Sequence, residues 1–189
     1  GVELEAVTAD MRRVAKTTNF AVVYGVSGYG LAQQTDLTPE EGSAFIETYF
    51  KAYPRIKEYI DKTRDQARED GYVETLLGRR RYFPIFQIKG SRNRQFEMRA
   101  EREAVNHPIQ GTAADIIKIA MIRLYDELKA SYKARMILQV HDELLLEVPE
   151  DELAQVKPLM IDVMSNAFKL DVPLKVDART GYNWLELKG

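Results

Sequence analysis

Residues 10–25 read DMRRVAKTTNFAVVYG, and the spacing inside that stretch sets the reading of the whole chain. A helical period runs from Asp10 to about Val23, with Asp10 expected near the N-cap and Gly25 at the point where the run stops. Arg12, Lys16, Phe20 and Tyr24 follow one another at intervals of four. On a helix each step of four drifts by only ~40°, so these side chains form one shallow stripe. Cations occupy one end of it and rings the other. A nucleoside triphosphate has the same polarity, with charged phosphates at one end and a flat base and sugar at the other. Arg grips phosphate oxygens in a bidentate fork, and Lys supplies a mobile point charge. An amphipathic helix with its rings in a core and its cations in water carries the same pattern, so the stripe alone leaves both readings open.

Further along the chain, Gly25-Val26-Ser27-Gly28-Tyr29-Gly30 reads as a loop; its glycines follow no strand and fit no dinucleotide fingerprint. Thr38-Pro39-Glu40-Glu41 predicts a helix start, with a hydroxyl cap, Pro in the first turn and acids at the positive end of the dipole. Pro54 opens another helix that Gly71 closes, and residues 72–83 suggest two short strands about Gly78. A long helical region is expected from about Asn93 to Ala130, broken at His107-Pro108, with Thr112 capping its second half and Asp115 at the capping-box position. Ala134 to Val148 reads as a hairpin, Glu150 to Phe168 as a helix, and Val172 to Ala178 as a last strand. Helices dominate the first hundred residues and strands come late. That order predicts an α+β fold: a helical lobe attached to a small lobe of packed helices and a small antiparallel sheet.

A second group of polar residues stands inside the predicted hairpin, where His141-Asp142-Glu143 separates the apolar runs Leu138–Val140 and Leu144–Leu146. Tight hairpins favour Asn-Gly or Asp-Gly, so this tip is poorly suited to a turn but places a carboxylate at the rim of a sheet. Mg²⁺ takes hard oxygen ligands and commonly uses one or two carboxylates plus substrate phosphates, which makes Asp142 a candidate ligand. Glu143, one residue on, is expected to point to the other face. An exposed polar turn is the plainer reading. A third group, Asn106 to Asp115, includes Asn106 and Gln110, whose amides both donate and accept as minor-groove base edges require.

Composition limits the alternatives. With 189 residues, 45% of them hydrophobic and 30% charged, the chain suits one domain or two small lobes sharing a core. The absence of an initiator Met fits a piece of something larger, and the amino end shows neither a basic start nor an apolar signal core. Zero cysteines exclude disulfides, thiolate zinc and cysteine nucleophiles, and His107 and His141 have no close His partner. The net charge of -2 hides an uneven distribution. Gly78 to Arg102 carries eight basic residues (Arg79, Arg80, Arg81, Lys89, Arg92, Arg94, Arg99, Arg102) against two acidic ones, while Asp142 to Gly189 carries ten acidic against five basic. A basic stripe is what a phosphate backbone needs, and a solvated surface also accounts for it.

Together these blocks resemble the family A (DNA polymerase I-like) DNA polymerases. Arg12-Arg13-x-x-Lys16-x-x-x-Phe20-x-x-x-Tyr24-Gly25 resembles that family's motif B, and Gln139-Val140-His141-Asp142-Glu143 its motif C. Thr75-Leu76-x-Gly78-Arg79-Arg80-Arg81-Tyr82, Gln110-Gly111-Thr112-Ala113-Ala114-Asp115 and the terminal Gly181-Tyr182-Asn183-Trp184 fall in the family's order, so the likeness covers essentially the whole chain. It implies a fingers subdomain over 1–92 and part of a palm subdomain over 93–189. It implies nucleotidyl transfer from dNTPs to a primer 3′-hydroxyl on a DNA template, in replication or repair within the cytoplasm. Arg12, Lys16, Phe20 and Tyr24 would hold the dNTP, with Lys16 also counted as catalytic, Phe20 packed on base and sugar, and Tyr24 at the template position. Phe at position 20 favours rejection of dideoxynucleotides in the family. Asp142 would bind Mg²⁺, with Glu143 in a secondary catalytic role. Arg13, Arg79, Arg80, Arg102, Asn106, Gln110 and His141 would meet the primer-template. Ala21 stands where the family usually has Gly. The family's motif A strand, with its second metal-binding Asp, is not in the sequence. The expected partners are therefore DNA, dNTPs and the remaining N-terminal part of the same polymerase, with no membrane, and the two-metal Mg²⁺ site is expected to be incomplete here. The isolated chain is expected to be inactive. A non-catalytic nucleic-acid-binding module with a polymerase-like fold is the alternative.

Overall fold

The computed structural model describes residues 2–88 and 93–187, so Lys89 and Arg92 of the basic run, and the implied boundary at 92/93, lie outside the described residues. The chain forms two compact units, Gly1–Ile109 and Gln110–Gly189. Its helices and two small antiparallel sheets make an α+β fold.

In the first unit a 3-10 turn over Leu4–Ala6 leads into α1, Ala9–Val23. Its cap is Thr8, not Asp10: the extended Thr8 backbone lets its Oγ1 accept from Met11 N at 3.2 Å. Asp10 lies inside the first turn, where its charge suits the dipole. At the other end Gly25 N–H donates to the Val22 carbonyl (3.0 Å) and Val26 N–H to that of Ala21 (2.9 Å). That crossed pair is a Schellman ending, and it needs the left-handed φ of +79° that Gly25 supplies.

The expected glycine loop after it is a second correction. Residues 28–32 form a short helix, α2 (Gly28–Ala32), capped by Ser27 Oγ accepting from Gly30 N at 3.1 Å. Glycine disfavours helix, but here the missing side chains allow α2 to lie directly on α3, Pro39–Ala52. A Cβ at Gly42 would stand 2.5 Å from the Gly28 carbonyl oxygen, and one at Gly28 2.8 Å from that of Pro39. α3 begins with the predicted capping box: Glu41 N–H donates to Thr38 Oγ1, and Thr38 N–H returns a bond to the Glu41 carboxylate at 2.8 Å.

α4 spans Pro54–Asp70 and closes at Gly71. β1 (Tyr72–Glu74) and β2 (Arg80–Tyr82) pair antiparallel, with Glu74 opposite Arg80. Ala67 of α4, Val73, Phe83 and Phe86 pack with Ala100 and Ala104 of α5 to form this unit's core. α5 runs from Arg94 to Ser131 with Pro108 inside it. The expected break at His107-Pro108 does not occur, so Thr112 and Asp115 lie within a helix and do not cap one. Proline removes the bond to the carbonyl four residues back. Ala104 and Val105 are nonetheless buried there, and Tyr59 of α4 donates its hydroxyl to the Val105 carbonyl at 2.9 Å. Packing and that anchor override the local preference.

The second unit takes the rest of α5, then β3 (Arg135–Val140) and β4 (Glu143–Glu147), an antiparallel hairpin with an irregularity between Met136 and Leu138. A 3-10 turn at Glu150–Glu152 precedes α6, Leu153–Ser165. Leu124, Leu128, Ala134 and Val156 are buried, and Met136, Leu144, Leu146 and Leu159 pack on them. The Glu152 carboxylate accepts the backbone N–H groups of Lys133 and Ala134, each at 2.9 Å, and so fixes the entry to the hairpin. The strand expected at Val172–Ala178 is absent: Pro173 removes a donor, and among the described residues no ladder forms along the segment. A helical turn that the sequence reading did not anticipate, α7 (Trp184–Leu187), follows. Among the described residues no helix is long and apolar enough to cross a membrane.

Candidate nucleotide and nucleic-acid sites

α1 displays its side chains more than it packs them. Val22 is its one buried residue, 1% exposed, and it borders a small cavity with Phe50 and Ile60. Arg12 and Lys16 are exposed, and Phe20 and Tyr24 remain 44% and 37% exposed. The two rings stack on one another, with centroids 5.8 Å apart and planes at 27°. Lys16 Nζ stands 5.9 Å from the Phe20 ring centroid. The rings are therefore a solvent-facing surface and not part of a core. Four-residue spacing on an unbroken helix brings them together, and the Schellman ending keeps Tyr24 in the last turn. Arg13 leaves this face and pairs with Asp10 at 3.1 Å.

Arg102 is exposed on α5, and its Cγ comes within 3.3 Å of where a Cβ on Gly25 would stand. The stem of Arg102 thus rests against the turn that follows Tyr24. Beside it Glu101 holds Arg68 at 2.6 Å and Arg64 at 3.9 Å. Asn106 lies one turn after Arg102 and is half-buried. On the β1–β2 hairpin, Arg79 is exposed. Arg80 binds Glu74 at 2.6 Å and lies over the Tyr72 ring, its guanidinium carbon 4.4 Å from the centroid. Arg81 pairs with Glu103 and sits over Phe83. Part of the basic run is therefore neutralised locally. The cross-strand positions 74 and 80 carried a signal for this that charge counting missed. Tyr49 and Asn19 were also passed over: the Tyr49 hydroxyl donates to Asn19 Oδ1 at 2.7 Å, joining α3 to α1. An amide within a helix next to the stripe was the available clue.

In the second unit Gln110 is exposed at the start of its share of α5. The β3–β4 connection is a two-residue turn, His141-Asp142, between the paired Val140 and Glu143. His141 takes a left-handed φ of 54°, a conformation costly for a side-chain-bearing residue. The Gln139 side chain donates to the His141 carbonyl and braces the turn. The composition of this tip, which disfavoured a tight turn, is thus accommodated by strain at His141. Its effect is to leave His141, Asp142 and Glu143 exposed. Among the described residues neither carboxylate has an ion pair, and no group of three or more His, Cys, Asp or Glu side chains is close enough to enclose a metal. The donors present are hard oxygens, which fit Mg²⁺ as a partial ligand set that substrate and further carboxylates would complete.

The model of DNA polymerase family A matches residues 1–186 of the chain. The chain is 49% identical over 188 residues to a thermostable DNA polymerase I of Thermus filiformis and 50% identical over 188 residues to a DNA polymerase I of Geobacillus stearothermophilus. It spans about a fifth of the length of these curated relatives, 22% and 21%, while they cover 100% and 99% of it. Among solved structures it is similar to the POL domain of Pol1 from M. smegmatis in complex with DNA primer-template and dNTP. The TM-score is 0.86 and the identity 47%, over 92% of this chain and 30% of that one. With a family match along nearly its whole length, and a fold that agrees, this chain belongs to DNA polymerase family A.

Proposed function

We propose that the chain is part of an enzyme that copies a DNA template by transferring nucleotides from dNTPs to a primer 3′-hydroxyl, in the bacterial cytoplasm. The observation that carries this is the exposed, ordered stripe of cations and stacked rings along α1. Arg12 and Lys16 bind the triphosphate, and Lys16 offsets charge that develops on it as the leaving group departs. Phe20 packs on the base and sugar, and Tyr24 occupies the template position until the template base enters. Residues 1–92 act as fingers and 93–189 as the carboxy-terminal part of a palm.

Mg²⁺, when bound, neutralises phosphate charge and lowers the pKa of the attacking hydroxyl. Asp142 is its ligand from this chain, and Glu143 stands beside it. Arg13, Arg79, Arg80, Arg102, Asn106, Gln110 and His141 position the primer-template, through phosphate contacts for the arginines and base-edge or sugar contacts for the amides and His141. One carboxylate ligand does not set two metals ~3.5–4 Å apart, so the 189-residue chain alone does not catalyse.

Titration with a fluorescent dNTP analogue tests the nucleotide site. R12A and K16A each weaken binding by at least about tenfold, the range for a lost charge-assisted hydrogen bond. Unchanged affinity in both variants removes the proposal. Primer extension by the pure chain with dNTPs and Mg²⁺ yields no product, and sustained synthesis refutes the inactivity.

A further inference from the structure

α1 carries the proposed nucleotide surface yet is tied to its own unit very lightly. Its buried contact is Val22, in the last turn. Its other side-chain hydrogen bonds among the described residues are local, from Met11 N to Thr8 and from Arg13 to Asp10. One bond reaches another helix: Tyr49 of α3 donates to Asn19 Oδ1 at 2.7 Å, across thirty residues of sequence. Asn19 lies between Lys16 and Phe20 along the chain. Val22, with Ala21 and Val23 partly buried on either side of it, anchors the last turn of α1 by apolar packing, which constrains rotation about the helix axis only loosely. The hydrogen bond at Asn19 adds a directional contact about one turn away.

The Tyr49 ring is itself held. It meets Tyr53 at 5.0 Å and Phe50 at 5.7 Å, centroid to centroid, and desolvation followed by the neighbouring Tyr53 pushes its phenol pKa upward. The hydroxyl thus remains a donor across the whole physiological range.

We infer that Tyr49 is a positioning residue for the nucleotide-binding face of α1: through Asn19 its hydroxyl sets the rotation of the helix, so that Lys16 and Phe20 stand in place before a triphosphate arrives. The inference rests on the reading of α1 given under Proposed function. Pre-set geometry lowers the ordering cost of binding, so its loss is felt in nucleotide affinity more than in the turnover of bound substrate.

The test uses Y49F, N19L and their double variant in the full-length polymerase that contains this chain, with Y53F as the control. The expected result is a rise of about three- to tenfold in the KM for dATP in either single variant, the range for one neutral hydrogen bond. kcat stays within about twofold, because uniform binding is what is lost. The double variant is no worse than either single, because both remove the same bond. Y53F behaves as the parent. In the 189-residue chain, hydrogen exchange at the amides of Lys16–Phe20 quickens in Y49F and N19L. Unchanged KM and exchange, an additive double variant, or an equal effect of Y53F overturns the inference. A full-length protein that incorporates no nucleotide at all defeats the polymerase reading instead, and the exchange measurement then decides the role of Tyr49 by itself.

Discussion

α1 keeps one of its residues, Val22, out of water, whereas α2 and α3 meet so closely that neither Gly28 nor Gly42 has room for a methyl group. The two regions adjoin in sequence and belong to one unit, but their side chains serve opposite ends. In α2 and α3 the backbone itself is the packing surface. In α1 most side chains are left outside, and its order comes from a cap at Thr8, a Schellman ending at Gly25, a hydrogen bond at Asn19 and the partly buried last turn. Side chains proposed to meet a ligand are, in α1, left out of the core. The difference shows how a chain separates display from support within forty residues.

The comparison can be broken most sharply at the support. G42A puts a methyl group 2.5 Å from a backbone oxygen that has no room to yield. It is expected to cost about 1–3 kcal/mol in urea unfolding, the range for overpacking. A cost near zero means that α2 and α3 are not locked together.

G25A comes next. Its φ of +79° is left-handed, and the new Cβ would press on Arg102 Cγ at 3.3 Å. The conformational penalty alone is roughly 1–2 kcal/mol. Thermal melting should register it, together with faster exchange in the last turn of α1.

A smaller, pH-dependent effect belongs to the capping box. The Thr38 backbone N–H, and then its hydroxyl, hold the Glu41 carboxyl below its ordinary 4.5. A depressed folded-state pKa means that this stabilisation is complete above about 4.5 and is lost as pH falls through the folded value. E41Q should therefore be less stable than the parent at pH 7, converge with it at low pH where Glu41 is protonated, and so flatten the acid limb of the stability–pH curve. An unaltered acid limb counts against the cap.

The smallest effect sharpens the comparison from the display side. R12A and K16A, at exposed sites where the described residues offer no side-chain partner beyond the ring near Lys16, should shift stability by no more than about 0.5 kcal/mol. A larger loss means that the stripe supports the fold as well as facing solvent.

Much of this was legible in the sequence wherever a local signal and the tertiary outcome agree. Thr38-Pro39-Glu40-Glu41 started a helix as expected, Gly71 ended one, and the i+4 stripe of α1 came out as one exposed face. The reading failed where long-range packing outweighed propensity. Gly28 read as loop because the reason for it, the backbone of α3 at Pro39 and Ser43, is eleven or more residues away. Pro108 read as a break because neither the burial of Ala104 nor the Tyr59 anchor is visible locally. Val172–Ala178 alternates like a strand, and alternation without a neighbouring edge makes no ladder. At the candidate sites, residue types were readable but pairing was not: that Arg80 is occupied by Glu74 and Tyr72 follows from a register fixed only on folding.

The contact between Gly28 and Gly42 also bears on how such a protein can change over generations. Two positions that each exclude a methyl group offer no single-step neighbour: any replacement at one needs a shift of the other helix first, so drift there is arrested. The outer side of α1 has no such veto. Descendants, or libraries of variants, should accumulate their variation on that outer side while the contact between Gly28 and Gly42 stays as it is.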